Sequence, residues 1–273
     1  TRRPSGGERE LVLVEQHGLD DDWFRHKVIY RRKLNAGDTL LIGDDTLTVE
    51  QILGDGIAVI RSQRSLLDLA AEHGTVPLPP YLGRTATDAD IERYQTVFAR
   101  QAGSVAAPTA SLNMTEEILQ KLRLKGVKIV YATLHVGLGT FLPIRVDDVS
   151  QHKMHQEYFS IPAATVAAIQ AAKQSKRRVI ALGTTITRTL EYAHQQILHE
   201  PPHDISGEAD IFIYPGYQFQ TIDALLTNFH MPESTVLMLA AAFANWEKLK
   251  PAYEHAIRER YRFFSYGDSM LII

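Results

Sequence analysis

Three almost unbroken apolar runs in the second part of the chain most constrain its fold. They span residues 128–136 (KIVYATLHV), 178–185 (RVIALGTT) and 209–216 (ADIFIYPG). Such runs are typical of strands that are buried on both faces, as in parallel sheets covered by helices. Segments with helical character separate or follow them, at 162–174, 186–199, 234–245 and 247–260. This alternation predicts an α/β layer.

The beginning of the chain follows a different pattern. Short β-branched and apolar runs alternate with turn sequences such as GDD at 43–45 and GDG at 54–56. In these turns glycine supplies positive φ and aspartate supplies local hydrogen bonds. Five such runs predict a small antiparallel β-barrel or meander. The proline-rich stretch GTVPLPPYL at 74–82 marks a junction. We therefore predict an α/β main domain at 74–273 plus a small antiparallel β-barrel domain at 1–73.

The composition excludes several classes of site and of protein. The 273 residues include no cysteine, which excludes disulfides, thiolate metal sites and cysteine nucleophiles. The formal net charge of -3 weighs against broad nucleic-acid binding, although a local basic patch can still bind phosphates. The sequence shows no apolar run long enough to cross a bilayer and no secretory leader. We predict a cytoplasmic protein without membrane contact.

The string HVGLGTF at 135–141 follows a predicted strand. Its two glycines allow close backbone approach beside His135 and Thr140. The string is not GxGxxG, and the residues after it do not open a helix, so it does not indicate a dinucleotide site. A ligand-contacting loop and a purely structural tight turn both remain open.

The string HKMHQEYF places His152, His155 and Glu157 within six residues. It lacks the HExxH spacing that brings two imidazoles onto one helix face, so a metal site is disfavoured. A buried, hydrogen-bonded pair of histidines is one interpretation. Recognition of a substrate is the other, because histidine suits proton transfer near neutral pH.

The string GTTITRTLE, which starts at Gly183, indicates an anion site. A strand is predicted to end at Gly183, and Thr184 and Thr185 stand where a helix begins. Free backbone N–H groups and hydroxyls at a helix start can hold a carboxylate or a phosphate. Arg188 and Glu191 lie about one turn apart on that helix, and they are expected to pair with each other if they have no other role.

Polar residues interrupt two apolar stretches near the C-terminus. The first, YPGYQFQTIDALLTNFHMPEST, contains Asp223, Asn228 and His230. Buried Asn and His side chains cost stability unless they are satisfied or used. The second, RFFSYGDSMLII, contains Ser265, Gly267 and Asp268 among aromatic residues, which more often form a core than stack on bases. The residues alone thus indicate an α/β enzyme with a polar site suited to an anion.

At these strings the sequence resembles the S-adenosylmethionine:tRNA ribosyltransferase-isomerase family of queuosine synthesis. The similar strings run in the family's order: GTVPLPPYL, AAPTA, TLHVGLGTF, RVDD, HKMHQEYF, GTT with RTLE, DIFIYPGYQF, DALLTNFHMPEST and YRFFSYGD. The opening RRPSGGERELVLVE is also similar to the family's entry into a small β-barrel, which is an insertion in the family's scheme.

The resemblance implies a transferase that uses S-adenosylmethionine as a ribosyl donor. The acceptor is the aminomethyl group of 7-aminomethyl-7-deazaguanine at the tRNA wobble position, and the product is epoxyqueuosine, with release of adenine and methionine. It implies tRNA and S-adenosylmethionine as partners, no metal and no permanently bound cofactor. We also expect a monomer.

The resemblance assigns roles to residues that match the family's strings. The expected reacting centre comprises His135, His155, Glu157, Asp223, Asn228 and His230. The expected substrate contacts are Gly137, Gly139, Thr140, Gly183, Thr184, Thr185, Arg188, Tyr214, Pro215, Gly216, Ser265 and Asp268. Which residue is the general base stays open.

The chain departs from the family's pattern after AAPTA. The family's Gly-Leu-His-Phe is replaced by Ser111-Leu112-Asn113-Met114, and Asn cannot transfer a proton near neutral pH. The family's leading segment is also expected to be missing. Two alternatives therefore remain open: a non-catalytic tRNA-binding relative, or the same donor chemistry on a small acceptor.

Overall fold

The computed structural model describes residues 1–14, 19–20, 23–54, 56–78, 82, 84, 86–100, 104, 106–136, 152, 154 and 156–273. These residues form two compact units. One comprises 1–92 with 104 and 106, and the other comprises 93–100 with 107–273. The first unit extends past residue 73, where the sequence predicts the domain boundary. Among the described helices, none is both long and apolar enough to span a membrane.

The first unit is built on one curled antiparallel sheet. Its strands are β1 (Leu11–Leu13), β2 (Arg25–Tyr30), β3 (Thr39–Ile42), β4 (Asp45–Gly54) and β5 (Ile57–Ser62), in the order β1-β2-β5-β4-β3. Alternate residues such as Val28, Leu40 and Ile60 are buried on one face, as period-two patterning requires. Helix α1 (Leu66–His73) adds Leu66 and Leu69 to this core. The five predicted strands are confirmed.

The second unit contains both helices and strands. Its helices are a 3-10 helix (Thr109–Asn113), α3 (Glu116–Leu124), α4 (Ala163–Gln174), α5 (Thr184–Tyr192), α6 (His194–His199), α7 (Thr235–Ala244) and α8 (Trp246–Arg258), whereas α2 (Asp88–Arg93) belongs to the first unit up to residue 92. Its strands are β6 (Thr133–His135), β7 (Glu157–Ile161), β8 (Ile180–Leu182), β9 (Ile205–Ala209), β10 (Ala224–Asn228) and β11 (Ser269–Ile272). Thr115 caps α3 by accepting from Ile118 N at 3.2 Å, the usual role of a threonine just before a helix.

The strands of the second unit form two three-stranded sheets. In the first, β10 runs parallel to β8 and antiparallel to β11. In the second, β7 lies between β6 and β9, and both pairings are antiparallel. Leu190 of α5 and Leu239 of α7 pack with Leu225 of β10 and Phe159 of β7 in one apolar core. The α/β character is confirmed, whereas the described strands contain a single parallel pair.

The predicted strand at 209–216 is wrong. β9 ends at Ala209, and the following residues pair with no strand in the described part of the chain. The run is apolar because Ile213 is 1% exposed in the core. Its carbonyls are satisfied by a side chain instead of a ladder: Arg188 donates to Ile211 O at 3.1 Å and to Ala209 O at 3.3 Å.

Candidate active site

The parallel strands β8 and β10 end side by side, and the polar strings follow their carboxyl ends. Gly183 closes β8 with φ +100° and ψ 157° and donates its N–H to Leu226 O at 2.8 Å. This backbone conformation is open essentially only to glycine. Helix α5 begins at Thr184, and Gly183 offers it no side-chain cap. Ligands of open α/β sheets bind at such strand ends.

A small cavity lies between the N-terminal turns of α5 and α7. Its volume is about 10 Å³, enough for roughly one water molecule. The polar side chains around it are Thr184, Thr185, Arg188 and Thr235. The apolar side chains around it are Met154, Phe212, Ile213, Val236 and Leu239. Residues of two helix starts, three of them threonines, thus line one cavity whose wall is mainly apolar.

Arg188 and Glu157 form a buried ion pair beside this cavity. The guanidinium Nη1 lies 3.0 Å from Glu157 Oε2, and both side chains are 5% exposed. Burial lowers the pKa of Arg188, and the carboxylates of Glu157 and Asp210 partly oppose that effect. Since β7 and α5 meet only through tertiary packing, sequence spacing does not reveal this pair.

Glu191 does not pair with Arg188, so that expectation is wrong. Its carboxylate is completely buried and accepts from the backbone N–H groups of Gln220 (2.8 Å), Thr221 (2.9 Å) and Ile222 (3.1 Å). The Tyr217 hydroxyl donates to it at 3.2 Å. Glu191 therefore fastens the segment that leads into β10.

His135 and Glu157 lie on opposite faces of the sheet β6-β7-β9. His135 pairs in register with Tyr158, and the two rings are 5.6 Å apart. Glu157 precedes Tyr158 in β7, so its side chain points to the other face, where it meets Arg188. The structure therefore brings Glu157 to Arg188, which lines the cavity, whereas His135 lies on the other face of the sheet.

Asn228 is the last residue of β10, and His230 follows two residues later. Asn228 is 2% exposed, and its Nδ2 has no hydrogen-bond partner among the described residues. His230 Nε2 lies 3.0 Å from Thr227 Oγ1, and its backbone N–H donates to the Tyr253 hydroxyl at 2.8 Å. Burial lowers the pKa of His230 to about 4 and raises that of Tyr253 to about 12. Both groups are therefore neutral at pH 7.

Stability should fall as the pH drops from about 6.5 to about 4, because of His230. In that window an unfolded histidine binds a proton that the folded one does not, so the full contribution is present only above pH 6.5. We expect a loss on the order of 2 kcal/mol, since the ring is only partly buried. Urea unfolding at pH 7.5 and pH 4.5 should show a smaller difference for His230→Gln than for the wild type. Equal pH dependence in the two proteins would contradict the assignment.

Asn113, at the position of the family's histidine, holds the C-terminal strand. Its Nδ2 donates to Gly267 O at 2.9 Å and to Ser269 Oγ at 2.8 Å. Ser269 is the register partner of Asn228, so both side chains lie on the same face of β10-β11. Ser265 is buried nearby in sequence, at 7% exposure. The substituted loop is therefore anchored.

Two expected site residues have partners of their own elsewhere. Asp223 lies at the opposite end of β10 from Asn228, where it pairs with Lys173 at 2.8 Å and accepts from Val179 N at 2.8 Å. Asp268 accepts from the backbone and the guanidinium of Arg262 at 2.8 and 2.7 Å, and this side-chain hydrogen bond lowers its pKa. The structure does not bring either of them to the cavity.

Tyr214 is the member of the YPG string that comes nearest to the cavity. Its ring lies 5.3 Å from that of Phe212, which is part of the cavity wall. Pro215 and Gly216 form an exposed turn, with Gly216 at φ +107°. The remaining expected residues, Gly137, Gly139, Thr140 and His155, lie outside the described residues.

Thr235 and Phe212 line the cavity but were not predicted as site residues from the sequence. Thr235 is the first residue of α7, and the hydroxyl of Ser234 before it caps that helix by accepting from Leu237 N at 3.2 Å. One feature of the sequence could have identified Thr235 as a site residue. Two predicted helices begin after neighbouring strands, so their first residues are expected to lie close together. Within the part of the chain that the structure describes, no group of His, Asp and Glu is arranged to hold a metal ion.

Comparisons with known proteins point in one direction. The family described as queuosine biosynthesis protein matches residues 1–272. The S-adenosylmethionine:tRNA ribosyltransferase-isomerase of Chlorobium phaeobacteroides is 54% identical over 274 residues, which cover 99% of this chain and 79% of that protein. Its namesake from Pelodictyon phaeoclathratiforme is 55% identical with the same coverage. The crystal structure of S-adenosylmethionine tRNA ribosyltransferase from Thermotoga maritima is similar at a TM-score of 0.50 and 31% identity, covering 97% of this chain and 75% of that one.

Proposed function

The chain belongs to the queuosine biosynthesis protein family, and on that premise we propose how its residues serve the family's reaction. It is an S-adenosylmethionine:tRNA ribosyltransferase-isomerase, a transferase that acts on tRNA in queuosine synthesis. The proposed acceptor is the aminomethyl group of 7-aminomethyl-7-deazaguanine at the wobble position. The proposed products are epoxyqueuosine in the tRNA, free adenine and methionine.

The chemistry sets three requirements for the site. The sulfonium acidifies the adjacent 5′ carbon of the donor, a base removes a proton there, and opening of the ribose ring expels adenine. The amine of the acceptor then attacks. Methionine leaves as a thioether and takes with it the electron pair of the bond between its sulfur and the 5′ carbon. A general base, a proton donor for the departing adenine and a site for the carboxylate of the donor are therefore needed.

The cavity between α5 and α7 is the observation that carries the assignment. Thr184 and Thr185 stand at a helix start with unsatisfied backbone donors, which favours an anionic group. Arg188 lines that cavity, and Glu157 pairs with it, so that the two charges balance. We assign these four residues to binding of the donor.

The end of β10 supplies the groups that we assign to proton handling. Asn228 Nδ2 is a buried amide donor without a partner among the described residues, and it can hydrogen-bond a heterocyclic nitrogen. His230 has a pKa of about 4 and stays neutral at pH 7, so it can accept a proton or donate a hydrogen bond. His135, His155, Gly137, Gly139 and Thr140 remain assigned to the site through the family's strings alone.

We further propose that the sheet of the first unit closes into a small barrel through residues 1–10. Arg2 exchanges backbone hydrogen bonds with Leu41 of β3 at 3.0 and 2.7 Å, and Arg9 N donates to Thr1 O at 2.8 Å. At the other edge, Arg31 N donates to Glu10 O at 3.2 Å. These bonds cover the outer edge of β3, which would otherwise be open to pairing with another chain.

Release of adenine from S-adenosylmethionine tests the proposed reaction. The purified protein should release adenine when it is given tRNA that carries the aminomethyl-deazaguanine, and not when it is given the same tRNA with unmodified guanine. We expect an enzyme that works as a cytoplasmic monomer without a resident cofactor, so no added metal should be needed. Binding of the tRNA without adenine release would overturn the proposal in favour of a binding role. Release with a free deazaguanine base alone would assign a small acceptor.

A matched pair of glycine variants tests the position of the site. Gly183→Ala should lower the free energy of unfolding by about 2 kcal/mol and strongly reduce adenine release, because alanine shifts the start of α5. An added Cβ would also lie 3.4 Å from Ala110 Cβ. Gly126, which follows α3 with φ +79° and open space around it, should also lose stability as alanine but keep full activity per folded molecule. Equal activity of the two variants would place the site elsewhere.

A further inference from the structure

Thr235, to which the proposed function gives no role, is the most unusual polar residue that lines the cavity. Its side chain is buried, with 4% of the residue exposed, and its Oγ1 has no hydrogen-bond partner among the described residues. A buried hydroxyl without a partner costs free energy, and such groups are rare in folded proteins. Thr235 lines the cavity, so a ligand that enters it can supply the missing partner.

The backbone around Thr235 offers further donors to the same space. Thr235 is the first residue of α7, and Ser234 caps only the amide of Leu237. Thr184 and Thr185, the first residues of α5, face the cavity from the other side. The first amides of a helix have no partner within it, and the positive ends of both helix dipoles therefore meet here.

The size and walls of the cavity select among possible anions. A volume of about 10 Å³ admits one water-sized group, such as a single carboxylate oxygen, and not a phosphodiester. Arg188 is already paired with Glu157, so the site provides hydrogen bonds and dipoles rather than an unpaired cation, which suits a single negative charge. The apolar wall includes Met154 and Phe212, which can contact a thioether or sulfonium chain.

From this arrangement we propose that Thr235 and the facing helix starts bind the α-carboxylate at the methionine end of S-adenosylmethionine. This inference rests on the proposed function and makes it more specific. The hydroxyl of Thr235 donates a hydrogen bond to one carboxylate oxygen, and the amides of both helix starts surround the carboxylate. The site then holds the methionine end of the donor equally from binding until methionine departs.

A threonine-to-valine pair tests the proposal. Thr235→Val keeps the shape of the side chain and removes the donor, so we expect about tenfold weaker binding of S-adenosylmethionine and a raised KM with little change in kcat. Thr235→Ser should restore binding. Thr189→Val is the matched control, because Thr189 is equally buried on α5 and its hydroxyl donates to Thr185 O at 3.1 Å within the helix.

Competition with small molecules identifies the group that is bound. L-methionine should inhibit the wild type and inhibit Thr235→Val much less, whereas L-methioninol, which lacks the carboxylate, should inhibit neither. Equal binding of S-adenosylmethionine by Thr235→Val and Thr189→Val would overturn the proposal. Inhibition by inorganic phosphate that is as strong as that by L-methionine would also overturn it, in favour of a phosphate site. A wild type that neither binds S-adenosylmethionine nor releases adenine would instead refute the proposed function, and this inference with it.

Discussion

Arg188→Met should lower the free energy of unfolding by about 3–5 kcal/mol, because it leaves the Glu157 carboxylate buried without its cation. The backbone carbonyls of Ala209 and Ile211 lose their donor as well. Urea unfolding followed by circular dichroism measures the difference. The unfolding signal should come from the second unit, which contains all four residues.

The double variant Glu157→Gln/Arg188→Met separates the loss of the pair from the loss of packing. Without the carboxylate, no charge is left unpaired, so the double variant should be more stable than Arg188→Met alone. Arg123→Met is the control, since its pair with Glu116 is exposed and its loss should leave the stability almost unchanged. A double variant that is no more stable than the single one would show that the ion pair is not the cause.

Glu191→Gln should cost about 3 kcal/mol of stability. In the wild type both carboxylate oxygens accept from backbone N–H groups. Glutamine keeps only one oxygen, and its NH2 group would face N–H donors in place of the other. Thermal unfolding should show a lower midpoint. Hydrogen exchange should become faster at whichever of the amides of Gln220, Thr221 and Ile222 face the new NH2 group, because those amides lose their acceptor.

Glu208→Gln provides the comparison for this second variant. Glu208 is an exposed residue of β9, so its stability should stay within about 0.5 kcal/mol of the wild type. If Glu191→Gln were as stable as Glu208→Gln, the buried carboxylate would not be what holds the segment before β10. This segment leads directly into the strand that ends at Asn228. Glu191 would then not be needed to hold that strand in place at the site either.

A chain with a net charge of -3 can still act on tRNA. Recognition of one modified base in its loop does not require the basic surface that broad duplex binding needs. The amide of Asn113 makes two structural hydrogen bonds, to Gly267 O and to Ser269 Oγ, which hold its loop in place.

Local chemistry was enough to predict many elements of the fold. The helices α4 and α7 were predicted to within a residue at both ends, at 162–174 and 234–245. Gly183 was placed correctly between a strand and a helix, since glycine followed by two threonines is a local signal. Helix caps and periodicity depend on neighbours within about four residues, which a sequence displays directly.

Long-range partners decided the rest. The run at 209–216 read as a strand because apolar burial looks alike in a ladder and in a core-packed loop, and the guanidinium that satisfies its carbonyls comes from α5. Glu191 was expected to contact its helix neighbour, yet it accepts from residues about thirty positions away. Asp223 and Asn228 are close in sequence, but five residues of extended strand place them at opposite ends of β10.

The sequence by itself determined the family, the α/β character of the main unit and the helix start that faces the proposed anion site. The tertiary structure decided which polar residues meet: it joined Arg188 to Glu157 and left Asp223 outside. It also brought the unpartnered hydroxyl of Thr235 to the same cavity as Thr184 and Thr185. The physical reason is that backbone propensities act between near neighbours, whereas the partner of a buried polar group is set by how separate elements pack.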